Sequence, residues 1–184
     1  PTWKVVTGVG AAGSTTGADL QGINGALSGN DVLGGDIDAS ATSTWNSGAG
    51  FEPNGTNAAR FTGQFDGLGH AIGNLTIIRP STDSVGLIGS TFNAIIRNVG
   101  LVGADVTGQN AVGALIGEAV LGELHSSFAT GGQVNGTNQV GGLVGYNNTM
   151  ITSNSFTSND VFGSNQVGGL VGETNGGIAS TYNF

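Results

Sequence analysis

The 184-residue sequence contains no cysteine. Disulfide staples and thiolate chemistry are therefore excluded, and the folded state must rest on packing and hydrogen bonds. Cations are almost as scarce: Lys4, Arg60, Arg79 and Arg97 stand against 12 acidic residues, giving a net charge of −8. Four cations cannot neutralise a run of phosphates, so neither nucleic acid nor an anionic membrane surface is an expected partner. No apolar run approaches the ~20 residues of a membrane span, so membrane insertion is not expected. Only 3 prolines are present, which excludes a collagen-like chain. Charged residues make up 9% of the chain, against the ~25% typical of globular domains. A helical bundle would need far more Glu, Lys and Arg, and would lose ~1 kcal/mol at each interior glycine. Pro1–Trp3 carries no secretory leader, and the chain reads as a mature or excised piece of an exported protein.

Glycine is abundant instead, at 36 residues, with Asn, Ser and Thr supplying most of the polarity. Hydrophobic residues reach 38% and fall in short recurring runs, which argues against disorder. The recurrence decides the fold class. Val85-Gly-Leu-Ile-Gly89, Val112-Gly-Ala-Leu-Ile-Gly117, Val140-Gly-Gly-Leu-Val-Gly145 and Val167-Gly-Gly-Leu-Val-Gly172 end on glycines 28, 28 and 27 residues apart. Ile96, Leu124, Ile151 and Ile178 keep the same phase. A large residue follows each of them: Leu101, Phe128, Phe156, Tyr182. Val106, Val134 and Val161 close the units, each two residues before a glycine. The runs are too short for helices and rich in β-branched residues.

Three short strands and three turns per ~27–28 residues describe one coil of a parallel β-solenoid, an all-β fold whose coils stack at ~4.8 Å. One domain is expected over residues 1–184: irregular N-terminal coils over 1–84, with a loop at 39–57 flanking the tube, then regular repeats over 85–184. Val85, Val112, Val140 and Val167 are expected to stack as one core column. Ile96, Leu124, Ile151 and Ile178 form a second, and Phe128, Phe156 and Tyr182 a third.

The Val-Gly-Gly-Leu-Val-Gly units resemble the GLUG-type repeat of large bacterial surface proteins. The segment from Phe61 to Ile77, with Gly34–Ser40 and Trp45–Pro53, looks like the region preceding such repeats in filamentous-haemagglutinin-like exoproteins. The resemblance implies a right-handed β-helix, secreted or at the bacterial cell surface, with an adhesive or matrix role.

Motifs that suggest chemistry are weak by comparison. Gly8-Val-Gly-Ala-Ala-Gly13 matches a dinucleotide fingerprint, but at this glycine content ~1.4 chance matches are expected and no helix pattern follows. Asp36 and Asp38 flank Ile37 and, with Asp31 nearby, are the candidates for a calcium ion. His70 and His125 lack the partners of a zinc site. His70 is expected to bond backbone at its turn, and His125 to face solvent. Glu118, Glu123 and Glu173 are the candidate acids for glycan cleavage, with Glu118 and Glu173 in one repeat phase around Tyr146. Asn54, Asn74, Asn135 and Asn147 begin N-glycan acceptor triplets.

The expectation is a non-enzymatic, cofactor-free extracellular rod. Its partner is a cell-surface receptor, a glycan or itself. Self-association would pair Trp3, Val5 and Val6 with Ile178, Tyr182 and Phe184, because an uncapped β edge recruits another strand. A polysaccharide-active enzyme is the third alternative.

Overall fold

The computed structural model describes residues 2–175, 178–179 and 182–183. It is a β-solenoid of about six turns with three sheet faces. The first face runs through Trp3–Val6, Asn30–Leu33, Gln64–Asp66, Ile88–Arg97, Ile116–His125, Val144–Asn148 and Val171–Thr174. Ile151–Ser153 and Ile178–Ala179 extend it. The second face has three strands, Asn110–Gly113, Asn138–Gly141 and Asn165–Gly168. The third begins at Ile37–Asp38 and Ala71–Gly73 and passes through Gly100–Val102, Phe128–Asn135 and Phe156–Phe162 to Tyr182–Asn183. Thr76–Ile78 and Asp105–Thr107 join that face beside Phe128–Asn135. Strand pairs are parallel, as they must be when each strand meets its own equivalent one coil later.

The period of the sequence becomes the register of the ladders. Val85 bridges Val112, Val112 pairs with Val140, and Val140 with Val167. The first three are fully buried. Val106, Val134 and Val161 form another column, and Ile88, Ile116, Val144 and Val171 a third.

Corners are made by left-handed residues that also stack. Ser84, Ala111, Gln139 and Gln166 all have φ between 51° and 56°. Each sits directly before the column valine, and each non-glycine residue there costs ~1–2 kcal/mol of backbone strain. The ladders on either side offset that cost. At this corner Asp83, Asn110, Asn138 and Asn165 form a side-chain ladder. Asn110 donates to Asp83 at 2.7 Å, Asn138 to Asn110 at 2.6 Å and Asn165 to Asn138 at 2.8 Å. Stacked amides of this kind reinforce parallel in-register strands.

The last glycine of each repeat has a steric cause. A Cβ at Gly117 would lie 2.4 Å from the Ser84 carbonyl carbon. At Gly145 it would lie 2.3 Å from the Val112 nitrogen, and at Gly172 2.4 Å from the Val140 nitrogen. Here the first strand leaves the corner against the backbone that opens the preceding coil.

Two column assignments from the sequence are corrected by the register, and the burial of a third residue, Val167, by its exposure. Val167 completes its column but is 45% exposed, because among the described residues no further coil covers it. Phe128 and Phe156 are half-buried and point outward. Their rings stack at 5.2 Å and 9° on the third face, with Phe128 over Gly100. The inward column one residue along is Leu101, Ala129 and Thr157. Ile151 pairs with Glu123, an outward position, whereas Leu124 pairs with Thr152, which is fully buried and pairs in turn with Ile178. The side chains of Ile151, Ile178 and Tyr182, and all of Phe184, lie outside the described residues.

The N-terminal coils replace ladder bonds with amide side chains. Gln21 donates to the Glu52 carbonyl and accepts from the Glu52 amide, both at 3.0 Å. Asn24 accepts from Gly55 N–H at 2.9 Å, and Asn54 donates to the Leu20 carbonyl at 3.1 Å. The 3₁₀ segment Gln21–Gly25 is thereby fastened to 52–55. Ser40–Gly48 bulges outward, kinked at Trp45. The chain re-enters the wall at Phe51, which is fully buried.

Candidate functional site

The second-face corner carries a polar groove along the coils. Two adjoining hollows share Asp83 and Ser84: one of about 400 Å³ reaches Asn24, Glu52 and Arg79, and one of about 310 Å³ reaches Glu118, Tyr146 and Glu173. The register sets the floor of the second, since Glu118, Tyr146 and Glu173 stand in one outward column.

Its carboxylates are engaged. Glu118 accepts from Arg60 at 3.3 Å and from the Ser84 hydroxyl at 3.4 Å. Arg60 also reaches Ser90 at 3.1 Å. Glu173 accepts from the Gln139 amide. Tyr146 stands between Glu118 and Glu173, its hydroxyl accepting from Asn175 at 2.9 Å. The groove is therefore lined by carboxylate, amide and phenol groups already bonded to one another and to Arg60. It does not present two free acids facing each other across a bond, as glycoside cleavage requires. Glu123 lies apart, in the hollow with Ile95 and Leu121.

The calcium candidates are not brought together. Asp31 is on the first face, buried, with Lys4 at 3.0 Å. Burial pushes its carboxyl above the ordinary range in spite of Lys4. Asp36 and Asp38 belong to the edge of the third face and are exposed. Asp36 accepts from Ala71 N–H at 2.9 Å and contacts His70 Nδ1 at 3.3 Å, and these bonds lower its pKa. Asp38 accepts from Ser40 N–H and from Asn74, with the same effect. Among the described residues no group of three or more His, Cys, Asp or Glu could hold a metal ion.

The fingerprint Gly8–Gly13 lies in a loop after the first strand and opens no α-helix. Of the glycan triplets, Asn54 and Asn147 are buried and committed, Asn147 to both backbone groups of Met150, so neither can carry a sugar. Asn74 is exposed and Asn135 half-buried.

His70 bonds its turn through the backbone, its N–H donating to the Gly67 carbonyl at 2.8 Å, while its ring contacts the Asp36 side chain. His125 is half-buried between Ser153 on one ring nitrogen and Glu123 on the other. Register explains that grouping, because His125 pairs with Ser153 on the next coil. The signal was present in the repeat, 28 residues separating the two positions.

The chain is similar to halomucin of Haloquadratum walsbyi. The two are 50% identical over 109 residues, which is 54% of this chain and 1% of halomucin. It is also 40% identical over 74 residues to the protein named "Putative Gly-rich membrane protein" of Evansella cellulosilytica, covering 38% of this chain and 9% of that one. The chain thus spans a small fraction of both relatives. No family model matches it, and neither does any solved structure. No helix among the described residues is long and apolar enough to cross a membrane.

Proposed function

We propose that this chain is a structural and adhesive stretch of a surface-associated or secreted protein, a rod of GLUG-type repeats whose principal role does not depend on catalysis. One observation carries the reading: the residues repeated in sequence are spent on stacking, in the Val85–Val140 column, the Asn110–Asn165 ladder and the corner glycines. The similarity to halomucin over more than half the chain, and to a protein named for a membrane, supports a surface setting. The side groove supplies the adhesive face, and its polar lining makes a neutral glycan the partner. Antibody against the chain should label intact source cells or their medium; labelling that requires lysis would refute the surface setting. On a glycan array the chain should bind, and Tyr146→Ala should lose that binding. An array without signal removes the adhesive part.

Self-association is the second reading, favoured by the 45% exposure of Val167 at the end of its column. It would engage the strand containing Val167, together with the sequence-expected Ile178, Tyr182 and Phe184, with the strand containing Trp3, Val5 and Val6. Light scattering should then show growth with concentration that Val167→Lys suppresses. A monomer at every concentration rejects it.

A further inference from the structure

The outer side of the first face carries an acid, an imidazole and a hydroxyl in hydrogen-bonded sequence. Glu123 and His125 both point outward from the strand Ile116–His125, with the buried Leu124 between them. Ser153 lies in register with His125 one coil on. Its hydroxyl oxygen is 2.5 Å from His125 Nδ1, and Glu123 Oε2 is 2.9 Å from His125 Nε2. With neutral imidazole, one proton arrangement satisfies both contacts: Nε2–H donates to the carboxylate, and bare Nδ1 accepts the Ser153 proton. That is the pairing of nucleophile, base and orienting acid used in acyl transfer. The group is open to solvent, with side chains 34% exposed at His125 and 49% at Glu123. Beside it lies a hollow of about 360 Å³ bounded by Glu123, Ile95, Leu121 and Thr149.

We propose that Ser153 is an acyl-accepting nucleophile toward small, unhindered carboxylic esters, with His125 as its base and Glu123 as the positioning residue. The Ser153 oxygen bonds the ester carbonyl carbon while its proton passes to His125 Nδ1. The carbon–oxygen bond to the alcohol breaks, and the alcohol leaves with that proton. Water then attacks the acyl-serine and gives a proton to Nδ1. The acid departs, and the proton returns to the Ser153 oxygen. An ester and water become an acid and an alcohol, with no redox partner. This chemistry is separate from the structural role proposed above.

The test uses the full chain with p-nitrophenyl acetate, following nitrophenolate release and locating the acetyl group by acid-quenched peptide mass spectrometry. Acetyl on Ser153 is expected. Ser153→Ala and His125→Gln should each lower release roughly 100-fold, the scale of general-base assistance. Ser153→Cys should carry the acetyl on sulfur, which keeps the test valid if the alanine variant folds poorly. Glu123→Gln should slow acylation, and Glu123→Asp should restore part of it. His70→Gln, which alters the other histidine, should change nothing. Acetyl found elsewhere, release unaffected by Ser153→Ala with the circular dichroism intact, or equal losses from His70→Gln and His125→Gln would each overturn the proposal.

Discussion

Thr91 and Thr42 are both completely buried, yet the same substitution should move them in opposite directions. Thr91 lies on the strand Ile88–Arg97, bridged to Phe61 and paired with Ala119, and its hydroxyl has no hydrogen-bond partner. Thr42 donates to the Ala39 carbonyl at 2.6 Å and accepts from the Thr76 amide at 2.9 Å, replacing a ladder bond between coils. Valine matches threonine in shape, so neither change opens a cavity. An unpaired buried hydroxyl costs about 1–3 kcal/mol, and Thr91→Val recovers part of it, about 1–2 kcal/mol. Thr42→Val removes two bonds and leaves the Thr76 amide unpaired, a loss of about 2–4 kcal/mol. For a chain of this size 1 kcal/mol is roughly 2–4 °C in Tm. Thermal melts by circular dichroism should show Thr91→Val higher by about 2–8 °C and Thr42→Val lower by at least as much. A Thr91→Val that melts at or below the parent, or two variants shifted the same way, would refute pairing as the deciding factor.

Asp66 gives a pH dependence. Burial opposes its ionisation, but Asn98, the Leu68 amide and Arg97 at 2.7 Å outweigh that and hold its pKa below the ordinary 3.8. Its stabilisation is therefore complete above 3.8 and is lost as pH falls through the lowered folded value; urea titrations of Asp66→Asn should converge on the parent over that acid range. Asp31, shifted upward, runs the other way and loses stability as pH rises through its folded value, so only the difference between parent and variant isolates Asp66. Gly145→Ala would press its Cβ on the Val112 nitrogen and should cost about 3 kcal/mol or more, whereas Gly131→Ala has open space and pays only the ~1–2 kcal/mol of its positive φ. Equal melting temperatures for the two glycine variants would show that the corner can yield.

The valine column and the glycine corners were legible because they repeat with fixed residue types. What misled was the face of the less regular positions. Leu101 looks equivalent to Phe128 by size, but the register pairs it with Ala129, and a slip of one residue turns a strand inside out. An outward phenylalanine stack reads as core, while inward Ala129 and Thr157 read as surface. Ile151 misleads in the same way, because the small polar Thr152 holds the buried position. The amide bonds of Gln21, Asn24 and Asn54 join residues about one long coil apart without any shared motif, so the N-terminal half shows little period. His125 and Ser153 come together only once coils are superposed.

Three of the inward columns change character along the rod. Phe65, Ile96 and Leu124 give way to Thr152, Ile72 and Leu101 to Ala129 and Thr157, and Val99 to Ser127 and Ser155. Along these three columns large apolar side chains give way to alanine or to a hydroxyl by the coil of Thr152, Ser155 and Thr157, whereas the valine columns stay apolar. Ser127 and Ser155 recover part of the loss by bonding backbone, whereas the Thr152 hydroxyl is unpartnered. In a solenoid each coil contacts only its neighbours, so stability is the sum of local terms and opening starts where they are weakest. Amide hydrogen exchange should therefore be slower over Ile88–Arg97 than over Val144–Asn148 and Ile151–Ser153, although all three lie in one sheet. Thr152→Val should slow exchange in those last strands by roughly tenfold, the equivalent of ~1.4 kcal/mol, and leave Gln64–Asp66 unchanged. Uniform protection along the first face, or a Thr152→Val effect spread evenly over every coil, would mean that the rod opens as one cooperative unit and that the gradient in its interior has no energetic consequence.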